Sequence, residues 1–504
     1  MALNDVTFVK GQGGLGRPLD GEDHISGIVF YTNTYPSGFD SSHKVKTVYS
    51  IDDTEALGIL LDYSDETQAT GTYLVTTAGT AGDVITFSVV ETNATVVIGS
   101  YTVANSDTEA LVAAGIAAAI NAGTSTHGYS ATAPSATVTI TARKGLGIFL
   151  NTGTPIAVNI STGGTIAGTL TQFTGGVASF RALMWYHISE YFRIQPKGVL
   201  YVGVFPVPGS YTFSEVSDVQ SFAVGIIRQI AVYTTVNFAT TQITALQTVA
   251  ASLSTDHTPL SILFGANIPN TTNLSDLTDL GLLNSSYVSL VIGQDGNNFG
   301  HQLYLCSGKS ITCLGATLGA VSRSKVSENI GWVKNYNMAD TELDVIAFAN
   351  GKLYRDVSTN SLDTLNTQHY IFLRKHIGIS GSYFNDSYTA VISTSDYSTI
   401  ENNRTIDKAI RNIRTFIIPE LNGPLFVDPV SGQLSEDTIA YFTSLTSGPL
   451  EQMQRDGELS GFGVTIDPTQ NILSTSELSI TVQLIPVGVA RQIVINIGFT
   501  VKLS

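Results

Sequence analysis

Apolar residues repeat along the chain with spacings that change abruptly, and each change marks a boundary. Residues 24–64 open with a strand, Ile25 to Tyr31. They continue into a helix that starts near Asp52–Thr54 and runs through Ala56, Leu57, Leu60 and Leu61. From Ala69 to about Val177 the runs TYLVTT, DVITFSVVE, TVVIGSYTV, ATVTITAR and IAVNIS are strand-length and β-rich, between Gly, Asn and Ser turn signals. One helix interrupts them, with Ser106 and Glu109 as a capping box and Gly123 as its C-cap.

From Phe180 the period changes again. ALMWYHISEYFR has helical spacing through Leu183, Tyr186, His187 and Tyr191, and GVLYVGVF is a continuous apolar run of strand length. Helices are expected near Val219–Ile230, Thr240–Ser252 and Leu314–Glu328. Strands are expected at Ala231–Thr235, Pro259–Phe264 and Tyr287–Gly293. Alternating helices and buried strands imply an α/β domain with a mostly parallel central sheet.

In the last hundred residues an amphipathic helix over 401–417 puts Ile406, Ala409, Ile410, Ile413 and Ile417 on one face. Arg404, Lys408, Arg411 and Arg414 lie mostly elsewhere, and Pro419 stops the helix. A second helix starts after Ser435. Two alternating strands follow, one with Leu478, Ile480, Val482 and Leu484, the other with Ile493, Ile495, Ile497, Phe499 and Val501. The terminal strand, Arg491–Leu503, either closes its own domain's sheet or adds to a sheet in a neighbouring subunit.

Composition sharpens this division. At about 150 residues per domain, 504 residues make three or four domains. Charges almost vanish between Ala69 and Val177 while the flanks keep ordinary density, so residues 66–178 read as a β-rich domain inserted in a loop of an α/β core, 21–65 and 179–400. Residues 1–20 form an N-terminal arm with a short strand at Val6, Phe8 and Val9. Residues 401–488 form a C-terminal domain and 489–504 a C-terminal arm. Only 13% of residues are charged, which implies much surface covered by Ser, Thr, Asn and Gly or buried against neighbours. A net charge of −16 without a basic run argues against nucleic-acid and anionic-membrane partners. No secretory signal or span of about 18 apolar residues is read, and two cysteines, Cys306 and Cys313, fit a reducing cytoplasm.

Chemical motifs fail on inspection. Gly11, Gly13 and Gly16 match G-x-G-x-x-G, but turn residues follow where a helix must open. Gly308-Lys309-Ser310 resembles the end of a phosphate-binding loop, but Leu303 stands where its first glycine belongs. Cys306 and Cys313 with His301 lack a metal-finger spacing, and His187 among aromatic residues suits a packed core. No catalytic, cofactor or metal residues are assigned, and an enzyme is not expected. A hydrolase on the α/β core and another self-assembling or adhesive surface protein remain the alternatives.

IDKAIRNIRTFIIPELNGPLFVDPVSGQLS, PLEQMQRDGELSGFGVTID and the closing INIGFTVKL resemble the C-terminal domain of contractile tail sheath proteins. WYHISEYFRIQPKGVLYVGVF is similar to the start of that family's α/β core. The opening MALNDVTFVKGQGGLGRPLDGEDHISGIVFYT looks like sheaths of Mu-like phages and injection systems of Bacteroidetes-type bacteria. The resemblance covers about residues 1–64 and 179–504. It implies an α/β core, subtilisin-like in shape, with an α+β C-terminal domain, the inserted β-rich domain and extended terminal arms. It further implies stacked homohexameric rings around an inner tail tube protein, with baseplate and tail terminator proteins as partners. Assembly would be cytoplasmic, into a virion tail or tail-like particle. On that resemblance Val6, Phe8 and Val9 pair between subunits at one end, and Ile493, Ile495, Ile497, Phe499 and Val501 at the other. Lys408, Arg411 and Arg414 are candidates to face the tube.

Overall fold

The computed structural model describes residues 21–92 and 94–499. Its centre is a six-stranded sheet in the order Val288–Val291, Ser261–Gly265, Gln229–Tyr233, Ile25–Tyr31, Val199–Phe205, Val45–Val48. The first five strands are parallel and the last is antiparallel. All seven residues of Ile25–Tyr31 are buried. This is what a continuous apolar run demands, since both faces of a parallel sheet are covered. One face packs on the helices Phe180–Ile194 and Leu314–Arg323, through Ile28, Phe30 and Val202. The other packs on Glu215–Phe222 and Thr240–Thr255, through Val29, Ile230 and Ile262.

The Phe180–Ile194 and Leu314–Arg323 helices touch almost backbone to backbone. A Cβ on Gly315 would stand 1.9 Å from the His187 carbonyl oxygen, and one on Gly319 2.9 Å from that of Tyr191. The small-residue run LGATLGA is thus a packing device.

Several boundaries differ from expectation for local reasons. The first helix, Ile51–Ala56, stops early because Gly58 takes a left-handed φ of 80° against Ser37. The helix expected at Val219–Ile230 is Glu215–Phe222: Val224 and Gly225 turn left-handed, and the Gln220 side chain caps Ile227 N–H at 3.1 Å. The Leu314 helix ends at Arg323 rather than Glu328, because the Arg404 guanidinium binds the Ser324 and Lys325 carbonyls at 3.3 and 3.4 Å.

Between Thr67 and Val177, which form an antiparallel bridge, the chain builds two further sheets. One has four strands and the other three, with the helix Glu109–Ala122 against them. Phe87, Ile85, Val138 and Ile140 are fully buried in a core drawn only from this segment. The strands Ser130–Thr132 and Ala167–Thr174 were not anticipated. Thr108, not Ser106, caps the helix, its Oγ1 accepting from Leu111 N–H at 3.4 Å; Ser106 sits in a turn at φ 69°. At the base, the Asp65 carboxylate accepts from Ser179 Oγ (2.5 Å) and the backbone N–H of Phe180 (3.0 Å), so the two flanks meet.

The C-terminal unit holds the helices Ile400–Ile417 and Glu436–Arg455, and an antiparallel pair, Leu459–Thr465 with Thr481–Pro486. Leu459–Thr465 escaped the sequence reading because Gly461 and Gly463 weaken its strand pattern. It fills the place beside Thr481–Pro486 that the terminal strand would take if it closed its own domain's sheet. Residues 491–499 join no sheet of the described residues.

Candidate functional site

In a doubly wound sheet, ligands bind at the carboxyl ends of strands where the winding reverses, here around Ile25–Tyr31. Aromatic rings occupy that place. Tyr31 packs edge-on against Tyr211 at 4.9 Å, Phe213 lies 5.8 Å from Phe264, and the Tyr31 hydroxyl donates to Glu215 at 3.0 Å. His187 is wholly buried between Phe30 and Tyr233, and burial pulls it down to about 3, so it stays neutral. Burial pushes the Cys306 and Cys313 thiols up to about 12. Gly308 caps a helix, and the Ser310 hydroxyl donates to the Ala349 carbonyl at 2.5 Å, a buried turn in place of a phosphate cradle. Among the described residues no cluster of three His, Cys, Asp or Glu side chains could hold a metal ion, and no helix is long and apolar enough to cross a membrane.

The chemistry that stands out is at the seam between the α/β core and the Ile400–Ile417 helix. The helix is amphipathic, as its period implies, but its first turns also bury polar groups: Glu401, Asn403, Arg404, Thr405 and Asp407 are buried. Ile410 is half-exposed, while Ala409 and Ile413 pack on Leu450, Met453 and Leu459. The reason is the core it meets, which offers carbonyls and carboxylates. Lys408 Nζ bridges Asp23 (2.7 Å) and Glu458 (2.6 Å), and Arg411 reaches Asp23 at 3.2 Å. Burial alone would raise the Asp23 carboxyl, but Lys408, Arg404 and Arg411 together bring it below its ordinary value. Asp407 faces Arg411 and Arg228 at longer range, and burial lifts it to about 7. Lys408 and Arg411 are thus engaged within the chain, while Arg414 is exposed.

A second cluster lies at the root of the C-terminal tail. Arg491 Nε donates to Asp386 Oδ2 at 2.7 Å, and its Nη2 to Asp386 Oδ1 at 3.2 Å and Glu401 Oε1 at 3.1 Å. The sequence carried one sign of this: Arg491 is the only Lys or Arg between Arg455 and Lys502. Beyond it the apolar side chains stand in the open, with Ile493 77% and Ile497 94% exposed and Ile495 and Phe499 likewise. Val6, Phe8, Val9 and Val501 lie outside the described residues.

A profile of the DUF2586 N-terminal domain matches residues 3–388, running through the inserted sheets, and one of the DUF2586 C-terminal domain matches 396–504. The chain belongs to the DUF2586 family. The family's domain boundary falls between the Asp386 loop and the Ile400–Ile417 helix, so both charge clusters of this DUF2586 chain bridge its two domains. No curated protein matches the sequence. Solved structures that match the chain include the contracted helical sheath of the anti-feeding prophage, at 16% identity and TM-score 0.44, covering 62% of this chain and 81% of that one. The contracted sheath of an extracellular contractile injection system gives 13% and 0.42, covering 63% and 80%. The sheath tail protein of Desulfitobacterium hafniense gives 10% and 0.37, covering 96% and 100%.

Proposed function

We propose that the chain is the sheath subunit of a contractile, phage-tail-like injection machine, a structural and mechanical protein. The observation that carries this reading is the tail. Ile493, Ile495, Ile497 and Phe499 alternate at strand spacing, are exposed, and pair with no strand of the described residues. A strand of this kind needs another edge to complete it, and an isolated apolar edge left in water invites aggregation. The likeness of the C-terminal segments to sheath sequences supports a second copy of the same chain as that partner.

In this reading subunits stack as hexameric rings around an inner tube protein, between a baseplate and a terminator. The N-terminal strand at Val6, Phe8 and Val9 and the C-terminal strand through Val501 add to sheets of neighbours and form a mesh. The α/β core, subtilisin-like in shape, and the C-terminal unit pivot as rigid bodies when the rings shorten, and newly buried interface drives the change. With Lys408 and Arg411 engaged inside the subunit, Arg414 is the candidate to meet the tube. The inserted unit, 66–178, decorates the outer surface. The particle assembles in the bacterial cytoplasm.

Deleting residues 489–504 tests this directly. Negative-stain electron microscopy of the full chain, expressed with its tube and baseplate proteins, should show tubes or rings; the truncated chain should give only dispersed particles. Dispersed particles from the full chain would sink the sheath reading. Tubes from the truncated chain would sink the role of the tail.

A further inference from the structure

Past Pro486, the hydrogen bonds that tie the described tail residues to the rest of the chain are the three from Arg491. They end in an unusual pocket. Asp386 and Glu401 are 5% and 3% exposed. Asp386 comes from the loop after the strand Ile379–Phe384 and Glu401 from the first turn of the Ile400–Ile417 helix, so the two carboxylates stand on opposite sides of the family's domain boundary.

Neutral donors hold both in place. Asn329 Nδ2 donates to Asp386 at 2.6 Å and to Glu401 at 3.1 Å, the Ser387 N–H to Asp386 at 2.8 Å, and the Ser387 hydroxyl to Glu401. These groups orient the carboxylates but supply no charge. Among the described residues the only cation in ion-pair contact with either is Arg491. A buried carboxylate without a counter-charge is costly, and two of them more so. The planar guanidinium of Arg491 serves both at once through Nε and Nη2, three bonds in fixed directions that a rotating ammonium does not hold.

We propose that Asp386, Glu401, Asn329 and Ser387 form a guanidinium receptor, and that Arg491 seated in it latches the root of the C-terminal arm to the seam between the two domains. A cleft of about 720 Å³ at the receptor is lined by Val487–Arg491 and Ile493 together with Trp332, Arg374 and Tyr388. With the tail otherwise bound to the body by no hydrogen bond among the described residues past Pro486, Arg491 fixes where it leaves. The latch's mechanical meaning rests on the arm reading above: load on the arm would enter the domain seam rather than peel Thr481–Pro486 from Leu459–Thr465. Its existence does not, and the test uses the isolated full-length chain.

A nitroxide placed at Ile495→Cys reports tail mobility by electron paramagnetic resonance; Cys306 and Cys313 are buried. Arg491→Ala in that background should sharpen the spectrum and lower the thermal midpoint by about 5 to 10 °C. Millimolar methylguanidinium should restore part of the midpoint without restoring tail order. Methylammonium at the same concentration should not, and Arg491→Lys should behave like Arg491→Ala. Should the alanine variant fail to fold, adding Asp386→Asn and Glu401→Gln removes the uncompensated charge and should recover the midpoint with the tail still loose. Unchanged tail mobility in either background, or equal rescue by methylammonium, would overturn the latch. Such an outcome leaves the sheath reading standing, just as dispersed particles from the full chain would leave the latch standing.

Discussion

The inserted segment and the C-terminal unit are both rich in alternating apolar residues, yet they finish differently. The insert pairs its strands with one another into two sheets and buries Ile85, Phe87, Val138 and Ile140 in a core of its own. The C-terminal unit keeps a two-stranded sheet, leaves Ile493 to Phe499 in the open, and docks on the core largely through charges, with Arg404, Lys408, Arg411 and Arg491 all bound to oxygen. One region closes its sheets within itself, and the other leaves an apolar segment unpaired among the described residues. The contrast teaches that strand propensity alone says little about assembly; what matters is whether the edge and the apolar face find partners in the same chain.

The largest expected effect after loss of the tail comes from the insert's core. Phe87→Ala should cost about 3 to 5 kcal/mol of local stability. Hydrogen exchange should show it confined to 67–177; spread into the Ile25–Tyr31 strand would break the picture of a self-contained unit. The next concerns the charged seam. Asp407 is held near 7 when folded, above its ordinary 3.8, by burial. The folded state therefore favours the protonated acid. Its stabilising contribution is full below about pH 4 and is lost as pH rises through 7. Asp407→Asn should thus gain about 2 to 4 kcal/mol at pH 8 and almost nothing at pH 4, measured by urea unfolding. A gain equal at both pH values would mean that the seam does not carry this penalty. The smallest effect is on the tail. Ile497→Ser should change the monomer's unfolding free energy by less than about 0.5 kcal/mol, yet impair assembly. A large monomer effect would show that the residue packs within its own chain.

Much of this was legible in residue order. The strand Ile25–Tyr31 and the helix after Ser435 stand where their apolar periods and cap placed them, because local chemistry decides those features. The Ile400–Ile417 helix is amphipathic as its period implies, with Ala409 and Ile413 packed, but the burial of its polar first turns is not legible in that period. Periodicity assumes a greasy partner, and here the core offers Asp23 and the Ser324 carbonyl. Leu459–Thr465 was lost to its glycines. The Asp386–Glu401 receptor was beyond reach, since its members are scattered in sequence and converge only in the fold; Arg491, alone in a long apolar stretch, was the one visible trace.

The central strand has a consequence for how the chain is made. Ile25–Tyr31 leaves the ribosome well before its parallel neighbours, Val199–Phe205 and Gln229–Tyr233. At about 5 to 20 residues per second, that interval lasts on the order of ten to forty seconds. Throughout it seven consecutive residues bound for the deep interior have no native partner, while the intervening insert already has everything it needs to close. Synthesis of this chain is therefore a race between a waiting apolar strand and the late arrival of its sheet, and chaperone contact with residues 25–31 should be longest while the insert is emerging.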